Sequence, residues 1–389
     1  MSLRFVLRLP RNVLRLGWVS FLNDVSSEMI YPLLPLFLTQ VLGAGVLFVG
    51  LIEGVAESVS SFLKLFSGWF SDRFQRRKGI IVFGYSLASA TRPLMGAASS
   101  PFQVLVLRFF DRVGKGVRTS PRDALLSQSC SEIERGKAFG FQRAMDHAGA
   151  MFGPLVASFF LMVGVQNLRI IFALAFIPAC FCVGVLLRGV KETERDPSPE
   201  RRPFSIDWNA WDKKFKYFLL IIALFTLGNS SDAFLLLRAK GLGVGTASIP
   251  VLWFFLHLSK TIFSVPGGVL SDRIGRRPVM VLAWTLYGLV YLGFSFATKA
   301  VHIWGLFFIY GLFFGLSEGV ERAWVADLVA PSKRGSAYGA YHFFIGITAL
   351  PASLLTGFIW KTWGAAWAFA LGAMMALGAA LLAIVLLKD

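Results

Sequence analysis

Gly68-Trp69-Phe70-Ser71-Asp72-Arg73-Phe74-Gln75-Arg76-Arg77 returns 200 positions later as Gly268-Val269-Leu270-Ser271-Asp272-Arg273-Ile274-Gly275-Arg276-Arg277. Each copy sits between long apolar stretches. Glycine permits a tight turn, and a cluster of arginines holds such a segment at the polar surface of a bilayer. One short basic loop at the same point of two apolar halves points to an internally duplicated membrane protein. Duplicated bundles are a usual architecture of secondary transporters, with the substrate site between the halves.

Composition agrees. Of the 389 residues, 56% are apolar and only 16% charged, and mean hydropathy is +0.64. Phe and Gly number 38 each, as expected where helices face lipid and pack closely through small residues. A spanning helix needs about 20 apolar residues. Twelve spans can be drawn, at 14–39, 45–70, 79–98, 101–120, 137–163, 167–188, 216–238, 246–270, 278–297, 301–325, 336–360 and 363–387. The expected fold is therefore an all-α membrane protein of two pseudo-symmetric six-helix bundles, 1–189 and 216–389. Residues 190–215 carry mixed charge with Pro197, Pro199 and Pro203. They read as a cytoplasmic linker, with a short interfacial helix near Trp208 and Trp211.

The net charge of +17 would suit nucleic acid if it were clustered on a soluble face. Instead, most Lys and Arg fall in alternate loops and at the two ends. The opposite side holds only Arg169, Arg238, Lys240, Lys299 and Lys361. The positive-inside rule then places both termini in the cytoplasm and makes this an integral multi-pass protein of the cell (inner) membrane. Nucleic acid is not an expected partner; the lipid bilayer is. Arg4, Arg8, Arg11 and Arg15 precede the first span, but polar residues soon interrupt it and no small-residue cleavage site follows, so an uncleaved first helix is expected. Cys130 and the Cys180-x-Cys182 pair suit neither a disulfide framework nor a zinc site. No phosphate loop, His-Glu-x-x-His or Gly-x-Ser-x-Gly occurs, so neither ATP-driven transport nor common hydrolytic chemistry has support. No enzyme activity, cofactor or metal is expected.

The doubled Gly-x-x-x-Asp-Arg-x-Gly-Arg-Arg loop resembles the signature loop of the major facilitator superfamily. Its first copy has Gln75 in place of glycine. Three segments resemble that superfamily's drug–proton antiporter branch. Helix 1 ends Pro32-Leu33-Leu34-Pro35. Helix 4 carries Arg108 with Gly114 and Gly116, though Asp111 and Arg112 replace the usual Gln-Gly. Helix 5 carries Gly140, Gly149 and Gly153-Pro154, with Ala157-Ser158 replacing a final Gly pair. The resemblance implies that Gly68, Asp72, Arg73, Arg76, Arg77 and their counterparts Gly268, Asp272, Arg273, Arg276 and Arg277 latch the halves in one state. Arg118 is expected to partner the Asp72 loop. The resemblance also implies that Gly149, Gly153 and Pro154 form a seal or hinge against helix 8 or its neighbours; ordinary tight packing explains the same glycines.

Intramembrane charge says most about function, because ions in a bilayer are costly and usually face partners or a wet cavity. The spans hold basic Lys64, Arg92, Arg108, Arg112, Lys115, Arg118, Arg143, Lys260 and Arg322. The acidic set is Asp24, Glu28, Glu53, Glu57, Asp111, Asp146, Asp232, Glu318 and Glu321. Asp24 with Glu28, and Glu53 with Glu57, are four apart and share a helix face. Arg108, Asp111, Arg112 and Lys115 form an i, i+3, i+4, i+7 stripe, and Arg143, Asp146 and His147 cluster on helix 5. Nearby carboxylates in low dielectric cannot all ionise cheaply, which suits proton uptake and release. Asp24 or Glu28, modulated by Arg108, is the expected proton carrier. Glu53, Glu57, Arg92, Asp111, Arg112, Arg143, Asp146, His147 and His342 are expected to line a substrate cavity. Structural ion pairing explains any single one of them equally well.

The reading that follows is a secondary transporter, a monomer, exporting a small organic molecule by alternating access in exchange for protons. Uptake or exchange of an organic or inorganic anion stays open, since Arg92, Arg108, Arg112 and Arg143 can oppose an anionic group. A non-transporting membrane sensor is the third possibility and should carry an extra soluble domain. Met145, His147 and Met151 suit soft copper in spacing, but a single His-x-x-x-Met pair in an apolar helix reads as packing.

Overall fold

The computed structural model describes residues 9–74, 77–131, 134–192, 211–330 and 334–387. They form twelve helical rods, and the described connections between them are short. The rods are α1 (Arg11–Ile30, continued irregularly to Val41), α2 (Val46–Phe74), α3 (Arg77–Ala97), α4 (Pro101–Gln128), α5 (Arg135–Met162) and α6 (Leu168–Leu174 with Phe176–Gly189). They continue as α7 (Lys213–Gly228 with Ala233–Gly241), α8 (Ile249–Ile274), α9 (Arg276–Phe296), α10 (Ala300–Asp327), α11 (Arg334–Trp363) and α12 (Ala365–Leu386). Trp208 lies outside the described residues; Trp211 is buried, with its ring 4.9 Å from that of Phe215.

Eight rods, α2 and α6 to α12, are long and apolar enough to cross a membrane. The other four, α1, α3, α4 and α5, are the rods that carry Asp24, Glu28, Arg92, Arg108, Asp111, Arg143 and Asp146. Their polarity is in part a buried face: Arg92, Arg108 and Asp111 are buried, Asp24, Glu28 and Asp146 half-buried, and Arg143 exposed. α4 also runs on to Gln128, because its last turns are polar and a hydropathy reading does not register them.

Packing divides the chain into two units, one of residues up to Leu34 with Phe62–Arg202, the other of Pro35–Ser61 with Pro203–Asp389. The first part of α2 thus packs in the second unit. Ser58 donates to the Gly346 carbonyl of α11 at 2.6 Å, and a Cβ on Gly50 would stand 2.5 Å from the Ser353 carbonyl oxygen. Within each unit the helices pair alike. α1 packs on α5 and α6, as α7 packs on α11 and α12; α3 packs on α4 and α6, as α9 packs on α10 and α12. The duplication read in two loops therefore extends to these helix pairings.

Backbone irregularities have local causes. Pro32 and Pro35 cannot donate to the carbonyls one turn back, and α1 passes through a 3₁₀ turn at Tyr31–Leu33 and a π turn at Phe37–Val41. Pro178 leaves the Leu174 carbonyl without its helical donor, and α6 breaks there; Ser26 of α1 donates to the neighbouring Ala175 carbonyl at 2.5 Å. α7 breaks across Asn229, Ser230 and Ser231, where Ser231 Oγ accepts from the Ala233 amide at 3.3 Å. Tyr287 of α9 donates to the freed Gly228 carbonyl at 3.2 Å.

Candidate functional site

In the first unit, α1 is the hub of a polar seam. Gly149 and Gly153 of α5 sit against it so closely that a Cβ on Gly149 would be 2.9 Å from the Asp24 Cβ, and one on Gly153 3.0 Å from the Glu28 Cβ. Asp24 and Glu28 therefore share the face turned to α5, as their spacing predicts. The glycine face of α5 packs on α1. Gly140 stands clear, with nothing within 4 Å of a built Cβ.

Asn23 joins the seam to α3. Its amide donates to Asp24 Oδ1 at 2.8 Å, and its carbonyl oxygen accepts from Arg92 Nη2 at 2.7 Å. Arg92 is 2% exposed. Among the described residues its Nε and Nη1 have no hydrogen-bond partner, a costly state for a buried cation. On α5, Gln142 donates to Asp146 Oδ2 at 2.8 Å and to Ser20 Oγ at 3.1 Å. Arg143 lies 3.9 Å from the same carboxylate. Asp146, Glu28 and Lys115 are within electrostatic reach of Asp24.

The stripe on α4 resolves into a buried ion cluster. Arg108 meets Asp111 at 3.3 Å, Arg112 stands 3.8 Å from the same carboxylate, and the Arg108 guanidinium lies 5.3 Å over the Tyr31 ring of α1. Lys115 is exposed. Arg118 is buried with its guanidinium 3.9 Å over the Tyr85 ring. It lies where Gly84 and Gly114 bring α3 and α4 into contact. The side chains of Gly68, Asp72 and Arg73, and Arg76 entirely, lie outside the described residues. Arg77 opens α3. His147 is half-buried on α5.

The second loop copy is described in full. Gly275 has φ of 93°, a conformation that favours glycine, and the chain turns there. Arg276 donates to Ser271 Oγ at 2.6 Å and to Asp327 Oδ2 at 3.0 Å, and also bonds Asp272. One guanidinium thus ties the ends of α8, α9 and α10 together. Arg277 donates to the Ala383 carbonyl of α12 at 3.1 Å. Arg273 is exposed, and a Cβ on Gly268 would meet nothing within 4 Å. The second unit also holds buried Glu53 and exposed Glu57, with His342 stacked edge-on to Tyr341 at 5.1 Å.

Sequence reading named one further acid, Asp232, without giving it a role. Asp232 sits at the α7 break and accepts a 2.7 Å hydrogen bond from Tyr310 of α10. Glu53, Glu57 and Lys260 lie within its electrostatic reach. Lys260 pairs with Glu318 at 2.7 Å. The signal was in the sequence: Ser26-Ser27-Glu28 of α1 recurs as Ser230-Ser231-Asp232 of α7. Each half thus presents a Ser-Ser-acid triplet on its first helix.

With this geometry in view, the comparisons with known proteins are decisive. The family profile described as Major Facilitator Superfamily matches residues 16–259 and 217–389. The chain belongs to the major facilitator superfamily. An uncharacterized MFS-type transporter of Methanocaldococcus jannaschii, MJ1317, is 37% identical over 359 residues, 91% of this chain and 89% of that protein. The multidrug resistance protein MdtH of Salmonella arizonae is 28% identical over 198 residues, 50% of this chain and 47% of its own. Among solved structures, nucleoside transporter NupG superposes with a TM-score of 0.77 at 14% identity, covering 97% of this chain and 99% of that one. A POT family transporter in complex with 5-aminolevulinic acid gives 0.80 at 14% identity, covering 97% and 96%. At such identities these two speak for the fold alone. The protein is a multi-pass membrane transporter of the superfamily, not an enzyme, and acts on small-molecule substrates.

Proposed function

We propose that this transporter exports a small organic molecule in exchange for protons. It would work by alternating access between the halves 1–189 and 216–389, as a monomer of the inner membrane with both termini cytoplasmic. The observation that carries this reading is the α1 seam. Asp24 and Glu28 lie one turn apart at the crossing with α5, close to Asp146, with Asn23 relaying Asp24 to the buried Arg92. Three acids so close compete to ionise, and a moving cation can decide which of them holds a proton. Partial likeness to MdtH, a multidrug resistance protein, supports export.

The test is transport in inside-out vesicles. An acid lumen should drive accumulation of the substrate, and an uncoupler that collapses the gradient should abolish it. Accumulation indifferent to the gradient would sink the proton-coupled reading.

One observation favours a second reading, exchange of an anion. Arg92 is buried with two guanidinium nitrogens lacking hydrogen-bond partners among the described residues, and a carboxylate or phosphate on the substrate would accept from Nη1. Arg92→Lys removes the planar fork and keeps the charge. Under this reading it should raise KM for an anionic substrate and leave uptake of neutral or cationic compounds unchanged.

A further inference from the structure

The ends of α1 and α6 enclose a groove lined by none of the residues named above for transport. It has a volume of about 540 Å³ and is lined by Arg15 of α1 with Cys180, Phe181, Gly184, Arg188 and Gly189 among the residues of α6. No acidic residue lines it. The last turn of α6 is unusually rich in donors from elsewhere. Arg15 donates to the Gly189 carbonyl, Lys78 to the Leu187 carbonyl at 2.9 Å, and Asn12 to the Lys191 carbonyl at 2.9 Å. Two of these bonds occupy the Leu187 and Gly189 carbonyls at the helix end, part of its negative pole. The groove therefore keeps the positive charge of Arg15 and Arg188. Among the described residues neither of the two forms an ion pair with a carboxylate.

Its other walls are apolar and open sideways. Phe181 in the lining is 64% exposed, and the lining residue Cys180 is exposed; outside the lining, Leu187 and Trp18 are each 52% exposed. In a chain that crosses a bilayer, exposed apolar surface of this kind meets lipid. Trp18 lies one turn into the membrane from Arg15, the position an interfacial aromatic takes. Two cations at the mouth of an apolar trough match an amphiphile with a phosphate head and a hydrocarbon tail. Basic pockets between helices on the positively charged side of a membrane protein are known to select anionic headgroups. With no acidic group in the lining, a zwitterionic headgroup would bring a cation that nothing in the groove neutralises.

We propose that this groove binds an anionic phospholipid. Arg15 and Arg188 hold its phosphate, and its acyl chain runs along the Phe181 face of α6. The proposal is independent of what is transported.

Native mass spectrometry of the purified full chain in mild detergent tests it. The protein is titrated separately with phosphatidylglycerol, phosphatidylcholine and inorganic phosphate. The wild type should retain one phosphatidylglycerol under conditions that strip phosphatidylcholine. Arg188→Gln should weaken that retention about fivefold, the effect of one basic side chain near an anionic headgroup. Gly184→Leu tests the groove without touching its charge. A Cβ at Gly184 meets nothing within 4 Å, so the variant should fold with an unchanged Tm in detergent, fill the trough and lose the lipid. Equal retention of the two lipids would overturn the proposal. So would a Gly184→Leu variant that keeps phosphatidylglycerol while Arg188→Gln loses it, since attraction would then be to the surface and not to the groove. Competition by inorganic phosphate at equal concentration would make this a free-anion site and overturn the lipid assignment.

Discussion

Asp24 and Glu28 differ in what surrounds them. Asp24 is hydrogen-bonded by Asn23 and reached by Lys115 and Asp146, whereas Glu28 sits a turn further along the Gly153 contact. Asp24→Asn and Glu28→Gln each mimic a permanently protonated acid at nearly constant volume. If either is the proton carrier, its variant should lose gradient-driven transport and retain downhill exchange, and that exchange should no longer vary with external pH. A charged hydrogen bond of about 1.5–3 kcal/mol corresponds to roughly a tenfold to hundredfold loss of the coupled rate. Full coupled transport in both variants would move the carrier elsewhere, and Asp232 is then the first candidate. Asp232→Asn also removes the acceptor of Tyr310, so Tyr310→Phe should reproduce part of its phenotype if the pair acts together. Side-chain partnership is also where the sequence was least informative. The i, i+3, i+4 stripe on α4 is real, but spacing does not tell whether Arg108 answers a carboxylate on α1 or on its own helix. The carboxylate found beside it is Asp111. Asn23 read only as an interruption of an apolar span, because nothing in one dimension shows that Arg92, 69 residues away, bonds its carbonyl oxygen.

At the scale of the helix, glycines decide how closely the rods approach. The α1–α5 and α8–α10 crossings use the same device: a Cβ on Gly149 would stand 2.5 Å from the Phe21 carbonyl oxygen, and one on Gly311 2.5 Å from that of Leu256. Both neighbours are backbone and cannot rotate away. Gly149→Leu and Gly311→Leu should therefore each destabilise the detergent-solubilised protein by about 1–3 kcal/mol or more, seen as a lower Tm. Gly140→Leu on the same face-bearing α5 meets open space and should leave Tm unchanged. Equal losses at 140 and 149 would show that the crossing does not set the cost, since leucine improves helix propensity at both sites. Twelve rods were legible in the sequence because the bilayer imposes a length and an apolar composition on each. The breaks in α6 and α7 were not. A hydropathy window averages over Pro178 and over Asn229-Ser230-Ser231, and the Ser-Ser-acid repeat that marks the second break is only three residues long. Packing of the first part of α2 within the second unit was also hidden, since chain order alone assigns a helix to its nearest neighbours in sequence.

At the scale of the molecule, the charge asymmetry and the doubled loop together predict an orientation and a switch. If the basic side is cytoplasmic, cysteines introduced at Arg76 and Lys213 should react with an impermeant reagent only from inside, and those at Ala44 and Lys299 only from outside. The host for this experiment should lack the native thiols. Cys182 is buried with its thiol on the Val19 carbonyl at 3.3 Å, so alanine is the better replacement there. Burial pushes the Cys130 thiol above the ordinary range, although Arg135 opposes the shift. The thiolate fraction of Cys130 at neutral pH is thus low, and any background from a retained Cys130 should grow as pH rises. The same labels then test the switch. In the second copy of the loop, Arg276 joins Asp272 to Asp327 and so to the ends of three helices. The repeated sequence gives Asp72 the corresponding place in the first copy. Asp72→Asn removes the charge and keeps the volume, so a latch built on that carboxylate should weaken while the bundle stays folded. Transport should fall about tenfold or more, the effect of losing one charge-assisted hydrogen bond, and labelling at Lys213 from the inside should become faster. Asp72→Glu, which keeps the charge, should restore part of both. Normal transport together with unchanged labelling in Asp72→Asn would reduce the first loop to a topology anchor. The duplication would then be a record of how the fold arose, with gating carried by the second copy or by neither.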